Sequence, residues 1–408
     1  MSKFHPLAVL ALALMTCPLR AEPAVVVSLA GIGDRIRAQN PDLAAARLRI
    51  QEALGRMNQS GRLANPELQT SIEHNPRFRE GKIEVGFSQR FPVTNKLALE
   101  KEISLTELKA SEAEVREVQR QLIGQARAAV VKILAARQRR ELLLQQSDTS
   151  GQFAQFLSDI AAKGEGSPLD AGQAKLEAAS LAMEMRQLDA GEAALAGELK
   201  PLLGMRPGEA LSVGGTLADP VLPGTAADPS RRPDFQAAKL DAHAAAQGVA
   251  LEQSRRYEDW EGGVFTGVER TEDAPDGYEN EAIVGVQLKI PLPLWNKNEG
   301  AIQEAQAKQQ RKEMEAIALG RNIRLEAEAA RGEMEEWAKM IREINETLPP
   351  LADEQSKLAE ETFRNGQGEI QSVLRSREKR LQLAAARLDA LREFHLARVR
   401  YETALGKP

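Results

Sequence analysis

Proline placement constrains this chain more than any other feature. The 20 prolines leave four empty stretches, from Val93 to Ser167, Leu169 to Lys200, Leu294 to Leu348 and Leu351 to Lys407. Proline is expelled from helix interiors because it lacks an N–H and its ring clashes with the preceding turn. The empty stretches hold about half the chain and are rich in Ala, Leu, Glu, Gln, Lys and Arg, the strong helix formers. The segment from Leu97 to Ala162 alone would span ~100 Å as one helix at 1.5 Å per residue. Long helices are therefore expected to dominate, and only 4% of the residues are aromatic, too few to fill several thick globular cores.

Other classes fall away on composition. A net charge of −5 indicates no nucleic-acid partner, and the single Cys excludes an intramolecular disulfide or a cysteine zinc cluster. His5, His74, His243 and His395 are scattered without metal-ligand spacing. The Gly-x-Gly pairs at Gly164 and Gly366 lie between helical stretches and follow no strand, unlike a phosphate loop. No catalytic constellation, cofactor or metal site is expected. Residues 1–21 carry Lys3 and an apolar run from Leu7 to Met15, the layout of a secretory signal peptide cut after Ala21. Leu14-Met15-Thr16-Cys17 also resembles a lipoprotein box, so Cys17 is either lipidated or lost with the signal.

The chain repeats itself. Gly164-Glu165-Gly166 and Gly366-Gln367-Gly368 are 202 residues apart, as are Leu203-Gly204 and Leu405-Gly406. Pro92 with Asn95-Lys96 matches Pro293 with Asn296-Lys297, and Asn40-Pro41-Asp42-Leu43 matches Arg232-Pro233-Asp234-Phe235. The expected organisation is a first repeat over 22–204, a Pro/Gly-rich linker over 205–231 and a second repeat over 232–408. Each repeat reads helix, β-hairpin, long helix, turn, returning helix. In the first, one helix is expected from Leu29 to Leu63, then a hairpin over 67–91 and a turn at 163–170. In the second, the hairpin covers 263–290 around an acidic loop (Glu272, Asp273, Asp276, Glu279, Glu281), and the turn lies at 365–374. Pro349-Pro350 predicts a kink or break in the long helix that precedes this turn.

Along the hairpins, Ile83, Val85 and Phe87 alternate with polar or small residues, and so do Val284, Val286 and Leu288. Strands of ~9–11 residues with one apolar face have the length of tilted membrane-spanning strands, and these apolar positions are expected to face lipid. Four strands cannot close a barrel and open edges cannot sit in lipid, so several chains must pool theirs; three would give twelve strands. Leu374, Leu381 and Leu388, with Ala384 and Leu391 at the alternate heptad positions, mark a seam.

These features together resemble the TolC family of outer-membrane channels. The marks are the turns Lys163-Gly164-Glu165-Gly166-Ser167-Pro168-Leu169-Asp170 and Asn365-Gly366-Gln367-Gly368-Glu369-Ile370, and the junction Pro291-Leu292-Pro293-Leu294-Trp295-Asn296-Lys297-Asn298. The junction is similar to that of heavy-metal (CzcC-like) efflux members. The resemblance implies a mostly α fold with a small β part: an α-barrel of long helical hairpins in the periplasm, under a 12-stranded trimeric β-barrel in the outer membrane. It implies a passive exit duct, possessing no enzymatic activity, that works with a periplasmic adaptor and an inner-membrane pump of the RND type. Adaptor docking would involve Gly164, Gly166, Ser167, Leu169, Gly366, Gly368, Glu369 and Ile370. The periplasmic aperture would be lined by Asp170, Gln173, Ser372 and Arg375, a departure from the acidic ring of many members. The exported solute, metal cation or drug, stays open at this level, and so do the alternatives of a periplasmic adaptor or an envelope coiled coil.

Overall fold

A computed structural model describes residues 24–224, 228–273, 275 and 277–407; the signal segment and Cys17 lie outside the described residues. A short strand β1 (Val25–Val27) leads into α1 (Ile32–Gln39) and α2 (Pro41–Gln59), followed by strands β2 (Glu67–His74) and β3 (Gly81–Phe91). Helix α3 (Lys96–Ala162) has 67 residues and α4 (Pro168–Leu202) returns with 35. Strand β4 (Leu211–Val213) pairs in parallel with β1. Helix α5 (Pro233–Ser254) then precedes β5 (Trp260–Asp273) and β6 (Gly277–Lys289). The chain closes with α6 (Glu299–Arg364, 66 residues) and α7 (Ile370–Ala404, 35 residues).

Three expectations are corrected. The helix expected from Leu29 to Leu63 is two helices, because Pro41 forces Asn40 out of helical geometry (ψ 124°). The Asn40 side chain then accepts from the Leu43 N–H at 2.7 Å and donates to the Leu202 carbonyl at 2.8 Å, tying the break to the end of α4. Of the kink or break expected at Pro349-Pro350, the break does not occur: α6 is helical on both sides of them. Proline's φ suits a helix, and buried Ile344, Ala352 and Ser356 hold the flanking turns against the bundle. The second hairpin is longer than expected: Glu272, Glu279 and Glu281 stand within β5 and β6, leaving a short turn.

The helices pack as antiparallel hairpins. Helix α3 runs against α4, α5, α2 and α7, and α6 runs against α5 and α7. The main core lies where α1, α3, α4, α6, α7 and the linker meet, around Ile36, Ile123, Leu199, Met334, Ile341 and Phe394. Much of it is alanine, such as Ala126, Ala327 and Ala397, which lets helix backbones approach closely where bulky side chains would hold them apart. Residues 211–219 are fastened to this core by Arg137 donating to the Val213 carbonyl and by an Arg387–Asp219 pair at 3.1 Å.

A third tie is titratable. His395 is buried, with Nε2 2.8 Å from the Ala218 carbonyl, so the ring must donate there. Burial pushes its pKa below 6.5, with Arg398 adding to that, while the Ala218 bond and Glu402 oppose. The folded chain thus keeps the ring neutral where an unfolded chain would take up a proton. Its stabilising contribution is complete above pH 6.5 and is lost as pH falls through the folded value. Hydrogen-exchange protection factors of the linker, with the intrinsic pH dependence of exchange divided out, should fall on acidification, and His395→Gln should remove that pH dependence. An unchanged pH dependence in the variant would assign the effect to another group.

Candidate functional site

The four long strands form one antiparallel sheet in the order β2-β3-β5-β6, with β2 and β6 at its edges. The β3–β5 register, from Gly81↔Arg270 to Phe91↔Trp260, joins the two hairpins. Paired residues point to one side of a sheet, so the register sorts the side chains into two faces. Ile72, Ile83, Val268 and Ala282 make one row; Leu68, Phe87, Val264 and Val286 make another. Between them lie Thr70, Val85, Thr266 and Val284. This apolar face has no partner layer among the described residues: Val284 and Val286 are 81% and 83% exposed, and Ile83, Val85, Phe87 and Leu288 are exposed too.

The opposite face is polar. It carries seven carboxylates (Glu67, Glu73, Glu84, Glu261, Glu269, Glu279, Glu281) against three cations (Lys82, Arg90, Lys289), a net −4 among the described side chains. Lys82 pairs with Glu84 at 2.5 Å, and Arg90 with Glu67 at 3.1 Å and Glu261 at 3.6 Å. One aromatic stands on this face. Phe265 lies between Gly86 and Gly285, and a Cβ at Gly285 would fall 2.3 Å from its Cζ. The ring is folded down onto the sheet because glycine leaves the wall bare.

At the far end of the helices, the chain reverses twice by the same device. Gly164 and Gly366 have φ of 80° and 72°. The Glu165 N–H reaches the Ile160 carbonyl and the Gly164 N–H the Ala161 carbonyl; Gln367 and Gly366 do the same to Thr362 and Phe363. These are Schellman caps, which favour glycine at the left-handed position. Open space surrounds both glycines, so their requirement is backbone conformation. Ser167 and Glu369 are exposed, and Leu169 is 69% exposed. Ile370 differs from expectation. It is 5% exposed, packed with Ala154, Leu157, Ala171 and Ala174 beneath the tips, so it props the two reversals together. Gly166 and Gly368 sit close against the ends of α3 and α6.

One level further in, Gln173 on α4 and Arg375 on α7 line the same groove of about 880 Å³. Asp170 and Ser372 are not among its lining residues. Deeper in the groove are Glu177 and Arg139, the latter pairing with Glu184 at 2.7 Å and Asp389 at 3.1 Å. Burial pushes the Glu177 carboxyl up and Arg377 opposes this, with Glu378 raising it further. Arg377 itself is buried, bonds Glu360 of α6 at 2.8 Å and lies 4.3 Å from the Phe153 ring centre on α3. Sequence reasoning missed it. The signal was there, since Arg377 occupies a seam slot between Leu374 and Leu381 where the heptad calls for an apolar residue. Among the described residues no group of three or more His, Cys, Asp or Glu is placed to hold a metal ion. Nor is any described helix long and apolar enough to cross a membrane.

An exposed apolar sheet face on a bundle of long helical hairpins is the architecture of the outer-membrane efflux channels. Residues 32–196 match the family model for outer membrane efflux proteins, and the fold is TolC-like. The cobalt-zinc-cadmium resistance protein CzcC of Cupriavidus metallidurans is 25% identical over 385 residues, covering 90% of this chain and 84% of CzcC. The outer-membrane channel OprN superposes with a TM-score of 0.77 at 17% identity, over 93% of this chain and 90% of OprN. CusC gives 0.76 at 17% identity, over 94% and 93%. The outer membrane protein VceC of Vibrio cholerae gives 0.73 at 20% identity, over 93% and 96%.

Proposed function

We propose that three copies of this chain form the outer-membrane exit duct of a tripartite efflux system. The observation that carries the reading is the four-stranded sheet, apolar and uncovered on one face, with two open edges. In lipid those edges need partners, and a second and third copy supply them in antiparallel order, β6 beside β2. The face holding Ile83, Val85, Phe87, Val284, Val286 and Leu288 then meets acyl chains, and the acidic face lines the passage. Cross-linking of the detergent-extracted protein should trap trimers; a ladder that stops at monomers or dimers would end this reading.

The two repeats, 22–204 and 232–408, each contribute one hairpin to the barrel and one reversal to the periplasmic end, with 205–231 forming a belt between them. The tips dock a periplasmic adaptor that connects to an inner-membrane pump of the RND type. Leu169, bare at the first tip, is the best-placed contact for it. Leu169→Arg should leave the trimer intact yet cut export roughly ten-fold or more, as loss of a central interface contact does. Full export by a normally assembled Leu169→Arg trimer would remove the docking role from this tip. Metal cations are the favoured solute, supported by the likeness to CzcC and by the net negative face inside the barrel. At the aperture level Gln173 and Arg375 line the channel-side groove, with Asp170 and Ser372 nearer the tips.

A further inference from the structure

The motif that follows β6 has no role in the reading so far. Strand β6 ends at Lys289, yet its apolar residues at every second position continue through the next five residues. Ile290, Leu292 and Leu294 are exposed like Val284, Val286 and Leu288 before them, while Pro291 and Pro293 are half-buried. Trp295 then stands 94% exposed, although the residues beyond it are pinned: Asn298 donates to the Glu252 carbonyl of α5 at 2.8 Å. A fixed strap with four apolar side chains held outward is costly in water.

The backbone of this strap is as unusual as its side chains. Pro291 and Pro293 have no N–H, and the Leu294 N–H is bonded within the strap to the Leu292 carbonyl at 2.8 Å. Three of the five positions from 291 to 295 thus present no free donor. Unpaired N–H and C=O groups are what bar irregular backbone from hydrocarbon, and the prolines and the Leu294–Leu292 bond remove the donor part of that cost. We infer that the strap 290–295 lies in the periplasmic-side leaflet of the outer membrane, extending the lipid-facing surface beyond the sheet, with Trp295 anchored at the lipid–water boundary. The occupant is lipid because the exposed positions continue the phase of the outward sheet face. The chain turns polar immediately after the ring, at Asn296-Lys297-Asn298. An indole, apolar in body with one N–H donor, prefers that boundary. Phe91 and Trp260 sit at the same end of the sheet on the same face. The inference rests on the barrel reading proposed above, and its test separates the two.

The full-length trimer is reconstituted in phosphatidylcholine vesicles brominated on the acyl chain close to the carbonyl, in two single-tryptophan forms. One keeps Trp295 (Trp260→Phe, Trp337→Phe) and the other keeps Trp260 (Trp295→Phe, Trp337→Phe). Trp295 should lose about two-fold or more of its fluorescence relative to unbrominated vesicles, as a ring at the interface does, and should resist aqueous iodide. Quenching by iodide without quenching by bromolipid would put the strap in water. Resistance to both would put it against a neighbouring subunit. Either result overturns the inference while quenched Trp260 upholds the barrel; failure of bromolipid to reach both rings overturns the barrel as well. Should Trp337→Phe disturb the core, the bromolipid-sensitive fraction lost between wild type and Trp295→Phe gives the same reading.

Discussion

Val264→Arg is expected to abolish stable insertion of the trimer. Val264 is 57% exposed on the apolar face, paired on either side with Phe87 and Val286. With the strap counted as part of the lipid-facing surface, this row lies nearest the bilayer midplane. An arginine there costs ~2–4 kcal/mol per copy, and three copies bring the total to ~6–12 kcal/mol. A loss of that size matches or exceeds the whole stability of many folded domains. Gln287→Arg is the matched control, since Gln287 stands on β6 beside Val286 but faces the other way, toward the aqueous passage. Heat-modifiability gels of outer-membrane fractions should show no trimer band for Val264→Arg and a normal one for Gln287→Arg. Equal behaviour of the two variants would contradict the assignment of faces.

The fold class was legible because its main signals are local. Proline-free runs of strong helix formers need no knowledge of the tertiary structure, and α3 begins and ends within a residue of the expected Leu97 and Ala162. The same holds for the tip glycines, whose positive φ follows from ending one helix and starting another. What was not legible depends on partners distant in sequence. Asn40-Pro41 was visible as a repeat marker, but its role as a cap and as a tie to Leu202 needs the end of α4 beside it. Strands β1 and β4 are three residues each and exist only because they meet across most of a repeat. Glu279 and Glu281 looked like loop residues because acidic side chains are rare in buried strands; here they stand on a face that water can reach. Ile370 looked like a surface contact because it flanks a turn, and only the packing of α3 and α4 beneath it shows otherwise. Arg377 was hidden by the assumption that a seam position must be apolar, whereas a carboxylate and an aromatic ring from two other helices receive it there, with Nη1 left buried and unpartnered.

Gly285→Val should narrow the channel without preventing its assembly. The Phe265 ring occupies the space above Gly285: an added Cβ would lie 2.3 Å from its Cζ and 2.6 Å from one Cε. Those are the outer atoms of a side chain that can rotate, so the fold yields by moving the ring. Valine itself suits a strand. On the other flank, Gly86 would meet the Phe265 Cβ at 3.3 Å, so the ring's base is held by the sheet and its free end has one way to go, off the wall. On the polar face that direction is the passage, and threefold repetition brings three rings toward its axis. Single-channel conductance in planar bilayers should fall roughly two-fold or more, as an apolar constriction in an aqueous pore requires. Phe265→Ala in the same chain should restore it, because valine alone is too short to obstruct. If Gly285→Val conducts like wild type, or if the double variant stays narrow, then Phe265 does not border the passage and the polar face is not the inner wall.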